Sequence, residues 1–189
     1  MNKRRTFTSE QLREIVHYNP DTGVFTWLPR SYPPSFNATF GGKEAGGLVS
    51  NDTGIFYKMI RVHGSKYLAH ILAHVYVTGQ WPTKYIDHVD GNGLNNSWTN
   101  LRLATAEQNS VNSKLYSRNT SGLRGVSYSK AHNRWRSTYG KTWLGQYKTK
   151  EEAYAVYVAH VTALHGEFTN RLPNQLDALK EQRREQYIS

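Results

Sequence analysis

Lys84-Tyr85-Ile86-Asp87-His88, then Asp90-Gly91-Asn92-Gly93, then Asn100-Leu101-Arg102-Leu103-Ala104 and finally Asn109 form the stretch on which the reading of this chain turns. Residues 84–88 read as a short strand. Asp90–Gly93 supplies turn chemistry, because Asn and Gly tolerate positive φ. Residues 100–104 read as a second strand. Thr105-Ala106-Glu107-Gln108 fits a capping box, with Thr at the cap and Gln three residues on. It predicts a helix carrying Asn109 and Asn112 on one face. The unit is strand, loop, strand, helix.

Those residue types suit phosphodiester hydrolysis, in which a water must lose a proton, the leaving 3′-oxygen must be stabilised and extra negative charge must be neutralised. Histidine titrates near ~6.5, so His88 can act as a neutral base. A hard cation such as Mg²⁺ takes one or two protein oxygen ligands, and Asp87 and the side-chain carbonyl of Asn109 are of that type. Successive strand residues face opposite ways, so Asp87 and His88 share one phosphate only if the chain bends there, which Gly91 and Gly93 permit. Asn100 across the loop could accept from His88 Nδ1–H and leave Nε2 as the base. The plainer alternative stays open at this point: Asp87 and Asn100 as turn caps, His88 as a half-buried ring.

Composition narrows the setting. Lys and Arg number 24 against 14 Asp and Glu, a formal charge of +10, which favours a polyanionic partner. With no cysteine, disulfides, zinc ribbons and thiol catalysis are excluded. Hydrophobic residues make up 38% and aromatics 13%, so small Trp- and Tyr-rich cores are expected rather than one large one. No apolar run approaches the ~18 residues of a membrane span. Met1-Asn2-Lys3-Arg4-Arg5 is not followed by an apolar region, so no secretory signal is read and a cytoplasmic protein is expected. Charge is uneven: residues 87–117 carry 2 basic and 3 acidic side chains, residues 118–150 carry 8 basic and none acidic. A near-neutral centre lies beside a strongly positive segment.

Elsewhere, Ser9–Val16 has helical spacing. Asn19–Gly23 is a turn and Val24–Trp27 a strand. Residues 29–47, with three prolines and four glycines, read as loop. Phe56–Val62 is a strand turned at His63-Gly64, and a helix spans about Ala69 to Thr78. Residues 117–122 are small and polar and read as a linker. Three strand-like runs follow, at 124–128, 134–139 and 142–147, with a tight turn at Gly140-Lys141. A helix capped at Thr149 runs to about Leu164, with Ala153, Val156, Tyr157, His160 and Leu164 as its stripe. Arg134 and Arg136 share a strand face and Trp135 takes the other, toward the helix. Arg124, Arg134, Arg136 and Lys141 are candidates for guanine edges or phosphates in a major groove that admits a β-ribbon. Trp143 fits a sugar contact or a sheet support equally.

Ile86–Asn92, Asn95-Asn96, Asn100-Leu101-Arg102 and Glu107-Gln108-Asn109 resemble the HNH endonuclease motif, the ββα-metal nucleases, in its phage and intron homing version. The resemblance implies metal-dependent DNA cleavage, with Asp87 and Asn109 as metal ligands, His88 as general base and Asn100 as the residue that orients it. Asn109 stands where many members have His. Arg102 is placed among the DNA-contacting residues. His70–Ala73 and Gly79–Pro82 match the family's upstream pattern except at Ile71, where Arg is common. His70 is read as a packing or phosphate-adjacent residue and His74 as structural. The segment Tyr18–Trp27 also recurs in such proteins, with no role apparent from the residues.

Gly122–Val126, Arg134-Trp135, Trp143–Tyr147 and Glu151-Glu152-Ala153 resemble the plant ethylene-response-factor (Apetala-type) DNA-binding domain. The expected architecture is α+β: a small β-rich N-terminal region, a ββα-metal unit, then a three-stranded antiparallel sheet on one helix. Residues 1–116 form the HNH domain with its core at about 84–116, 117–122 the linker, 123–170 the DNA-binding domain and 171–189 a polar tail. The expected protein is a phage-encoded, monomeric endonuclease of double-stranded DNA in the bacterial host cytoplasm, using Mg²⁺ with Mn²⁺ as the alternative, and making no membrane contact. The rival is a non-cleaving sequence-specific DNA-binding regulator. An RNA-binding module is a third reading, weakened because no aromatic-rich single-strand motif is visible.

Overall fold

The computed structural model describes residues 7–31, 33–51, 54–112, 115, 119–169 and 172. The chain divides into two compact units, Met1–Ala106 and Glu107–Ser189. The expected linker falls partly, and the expected tail almost wholly, outside the described residues.

In the first unit, α1 (Ser9–Arg13) starts on a capping box: Gln11 N–H donates to Thr8 Oγ1 at 3.3 Å and Thr8 N–H to Gln11 Oε1 at 2.9 Å. It stops short of the helix expected to Val16. Val16–Tyr18 is instead β1, antiparallel to β2 (Phe25–Trp27), because pairing lets Val16 and Tyr18 enter the core while His17 faces out. Residues 29–47 are not all loop either. Pro34 opens α2 (Pro34–Thr39), a position where its missing N–H costs nothing. Asn37 closes the preceding loop, accepting from Arg30 N–H at 2.7 Å and donating to Arg30 O at 2.5 Å.

β3 (Gly47–Ser50), β4 (Phe56–Val62) and β5 (Ser65–Leu68) form an antiparallel sheet in that order. Its second turn takes positive φ at both His63 (47°) and Gly64 (79°), the two-residue turn that matches strand twist. α3 (Ala69–Thr78) ends on Gly79 in the left-handed region, φ 76°. Leu12, Val16, Ile60, Val62, Leu72 and Val75 are buried together against Tyr18 and Phe25. Each such side chain contributes roughly 1.5–3 kcal/mol by leaving water. β6 (Tyr85–His88) and β7 (Leu101–Ala104) form an antiparallel pair, and α4 (Ala106–Asn112) begins where the unit ends.

The second unit holds β8 (Val126–Ser129), β9 (Arg134–Tyr139) and β10 (Thr142–Tyr147), an antiparallel sheet with β9 central, packed on α5 (Lys150–His165). Thr149 and Glu152 form the capping box of α5. The architecture is the expected α+β, with the three-stranded sheet on one helix. The helix stripe differs from expectation: Ala153, Tyr154, Tyr157 and Val161 are buried, while Leu164 is 57% exposed. Tyr154 turns inward because its hydroxyl reaches a partner, Leu172 O at 2.7 Å, so the ring is buried without stranding a polar atom.

Candidate active site

The β6–β7 register sets Asp87 directly opposite Arg102 and His88 opposite Leu101. Opposed residues in an antiparallel pair share a face, so Asp87 and Arg102 meet. Asp87 Oδ2 accepts from Arg102 Nε at 2.9 Å and lies 2.9 Å from Nη2. Both side chains are largely buried, at 7% and 12% exposure. Arg102, expected on the DNA-contacting surface, is therefore turned inward onto the carboxylate by its register.

Beyond His88 the chain bends, with Gly91 N–H donating to His88 O at 2.8 Å and Gly91 at φ 69°. The loop is held by amides. Asp90 Oδ1 accepts from Asn92 N–H at 2.8 Å and from Asn100 Nδ2 at 2.9 Å, and Asp90 Oδ2 from Asn95 Nδ2 at 2.8 Å. Asn100 Oδ1 accepts from Asp90 N–H at 3.0 Å, and its Nδ2 also reaches Asn95 O at 2.8 Å. Burial pushes the Asp90 carboxyl up, but the donors from Asn92, Asn95 and Asn100 outweigh it and hold the group below its ordinary value.

This corrects the role read for Asn100. Its amide is engaged in the loop, and a side-chain partner of His88 is Asn96, whose Oδ1 lies 3.3 Å from His88 Nε2. The spacing from His88 cannot tell the two amides apart; only the closed loop does. Asn96 is 3% exposed and doubly anchored: its Nδ2 donates to Leu94 O at 3.1 Å and its O accepts from Tyr18 hydroxyl at 2.7 Å. The Tyr18–Trp27 segment thereby acquires a role. Its turn lies against residues 96–98, with Trp98 N–H donating to Pro20 O at 2.7 Å. Gly23, at φ 72°, touches the Asn96 backbone so closely that a Cβ there would fall 2.2 Å from Asn96 C.

The His88 ring is 6% exposed. It meets His70 edge-to-face at 4.9 Å and Tyr57 at 6.1 Å between centroids. Burial lowers the His88 pKa against the opposing pull of Asn96, Asp90 and Asp87, so the ring is neutral at neutral pH. His70 is pushed further, to about 3, by burial and by His88 beside it. Its Nδ1 is buried with no hydrogen-bond partner among the described residues. His74 is structural, with Nδ1 2.9 Å from Gln80 O at the end of α3.

The sequence pattern of HNH endonucleases matches residues 67–111, the run from β5 through this hairpin into α4. Protein 3.8 of Escherichia phage T7 is 44% identical over 87 residues, covering 44% of this chain and 72% of that protein. The chain belongs to the HNH endonuclease family. An uncharacterized HNH endonuclease, L560 of Acanthamoeba polyphaga mimivirus, is 34% identical over 119 residues, 60% of each chain. The chain thus spans less than two thirds of that relative. No solved structure matches.

Within this HNH protein, the donor chemistry fits a hard cation. Asp87 brings carboxylate oxygen into a buried hairpin, and the chain has no thiolate to compete for a softer metal. Among the described residues no group of three or more His, Asp or Glu side chains forms a closed metal cage. A cation bound by one carboxylate and one amide needs none. Asn109 lies on α4, half-buried, in the second unit.

The basic candidates of the second unit separate. Arg134 and Arg136 lie on one face of β9, with Trp143 on the same face through its pairing to Thr138. Trp143 is 55% exposed and Lys141 is exposed, whereas Trp135 packs on the helix side as expected. Arg124 is half-buried, and its charge is felt by the buried Tyr154 and Tyr157 hydroxyls. Arg134 and Arg136 are half-buried as well. Among the described residues no helix is long and apolar enough to cross a membrane.

Proposed function

We propose that the chain is a DNA endonuclease of the homing type that hydrolyses phosphodiester bonds in duplex DNA, leaving 5′-phosphate and 3′-hydroxyl ends. What supports this reading above all is the buried imidazole of His88, adjacent in the chain to the buried Asp87 carboxylate and inside the segment that carries the family pattern. His88 accepts the proton of the attacking water. Asn96 and the edge of His70 hold the ring, and Asn100 holds the loop that carries it. Asp87 is the ligand of the first unit that we assign to a divalent cation, Mg²⁺ or Mn²⁺. When bound, that cation supplies Lewis acidity at the phosphate and stabilises the leaving oxygen. Arg102 keeps the Asp87 carboxylate aligned and balances its charge. Arg134, Arg136, Lys141 and Trp143, on the open side of the second unit's sheet, are assigned to the duplex, in keeping with the resemblance to the ethylene-response-factor domain.

One observation favours the rival, a DNA-binding regulator that does not cut. Asp87 Oδ2 and His88 Nε2 already have protein partners, Arg102 and Asn96. A single experiment separates the two. Supercoiled plasmid carrying the natural target is incubated with Mg²⁺ or Mn²⁺ and either the wild type, His88→Ala, or Arg134→Ala with Arg136→Ala. Open-circle or linear product is expected from the wild type and not from His88→Ala, which still binds. The arginine variant binds more weakly, with a flatter salt dependence. Equal conversion by wild type and His88→Ala removes His88 from the chemistry, and no conversion by either favours the regulator.

A further inference from the structure

The segment from Trp27 to Lys66, which the hydrolytic reading leaves unused, builds a groove on the first unit. It encloses about 880 Å³ between α2 and one face of the β3–β4–β5 sheet. Trp27, Phe36 and Phe40 give it aromatic walls, and Arg30, Arg61 and Lys66 give it charge. Its acid, Glu44, is held by Lys58 Nζ at 2.5 Å, so little opposes those cations. The Arg30 guanidinium lies 4.0 Å over the Phe36 ring and 5.5 Å from the Trp27 ring centroid. Phe40 is 47% exposed. On the floor, Gly47 has nothing within 4 Å of where a Cβ would stand, so flat backbone faces the opening.

The two halves of this lining call for one ligand that has both an aromatic ring and an anion. A duplex backbone would meet the cations but keeps its bases stacked on one another and away from the rings. An apolar protein segment would meet the rings but has no use for the cations. An unstacked nucleotide uses both: single-strand binding combines a positive groove with aromatic platforms. We propose that this groove binds single-stranded DNA, with bases against Trp27, Phe36 and Phe40 and phosphates toward Arg30, Arg61 and Lys66. The proposal shares the nucleic-acid reading of the chain but does not depend on cleavage.

The test uses the full chain in chelator, where no cation-dependent cleavage occurs, and reads fluorescence anisotropy of a labelled oligothymidylate of about ten nucleotides, a length within the usual site size. A labelled duplex of mixed sequence and equal length is the comparison. Arg61→Glu with Lys66→Glu alters exposed side chains, Phe40→Ala removes an exposed ring, and Gly47→Leu fills the floor without a clash. Each is expected to weaken single-strand binding roughly tenfold, the scale of one lost base stack or two lost phosphate contacts. Duplex binding should stay within about twofold, because the duplex is assigned to the second unit. Unchanged single-strand affinity in all three variants overturns the proposal. Equal loss for both DNAs also overturns it and gives the groove to the duplex backbone. Because binding is read in chelator and not as cleavage, failure of the cleavage reading and failure of the groove are told apart.

Discussion

Asn96 and Asn100 are chemically the same side chain four positions apart, yet their surroundings give them different work. Asn100 bridges Asp90 and Asn95 across the loop, while Asn96 reaches the His88 ring. Replacing Asn100 by Ala removes those bridges and leaves loop groups without partners, at a cost of about 1–3 kcal/mol. A fall in thermal midpoint accompanying the loss of nicking is therefore expected. Asn96→Ala should also lower nicking and shift the apparent pKa of its pH profile further down, because the Asn96 contact opposes the lowering by burial, whereas an Asn100→Ala protein that loses nicking at unchanged stability would return the orienting role to Asn100. The amide spacing was visible in the sequence, but which amide meets the ring depends on a loop closed by Asp90, whose three donors come from residues as far apart as 92 and 100.

At the scale of elements, the β1–β2 hairpin acts on the site through its turn. Gly23 combines a left-handed backbone with direct contact to the Asn96 main chain. Gly23→Ala is expected to destabilise the first unit by about 2 kcal/mol or more, because strain and a clash add. It should reduce nicking as well, since the turn backs Asn96. The control is an alanine at Thr149, which removes the α5 cap at about 1 kcal/mol and leaves the His88 site untouched. Calorimetry with a parallel nicking assay reads both, and a Gly23→Ala protein of wild-type stability and activity would contradict the account. The hairpin also explains why α1 is shorter than its helical spacing predicts. Helical spacing continues to Val16, but burying Val16 and Tyr18 beside Phe25 outweighs the weak local preference.

At the scale of the molecule, the buried rings predict a pH response with a definite sign. His70 titrates near 6.5 when unfolded and at about 3 when folded. The unfolded chain therefore binds more protons between those values, and stability falls as pH drops through that window, by up to ~1.4 kcal/mol per pH unit. His88 and Asp90, both lowered, act in the same direction. Tyr18, raised to about 12, and Tyr57, also raised by burial, protect the fold only while protonated, so stability is lost again above ~10. A thermal midpoint that is level from about pH 7 to 9 and falls on both sides is expected. A midpoint held constant down to pH 4 would show that His70 is not buried as described.

The sequence by itself determined the local patterns: the strand–loop–strand–helix order around Asp87 and His88, the alternation that puts Arg134 and Arg136 opposite Trp135, the capping box of α5, the positive charge. These depend on residues a few positions apart, where backbone period and side-chain chemistry suffice. Tertiary structure alone decided that Arg102 faces Asp87, that Tyr18 and Gly23 stand behind Asn96, and that Trp27, Phe36 and Arg61 line one groove. Each of those pairs residues far apart in the chain, and only the buried core and the strand registers bring them together.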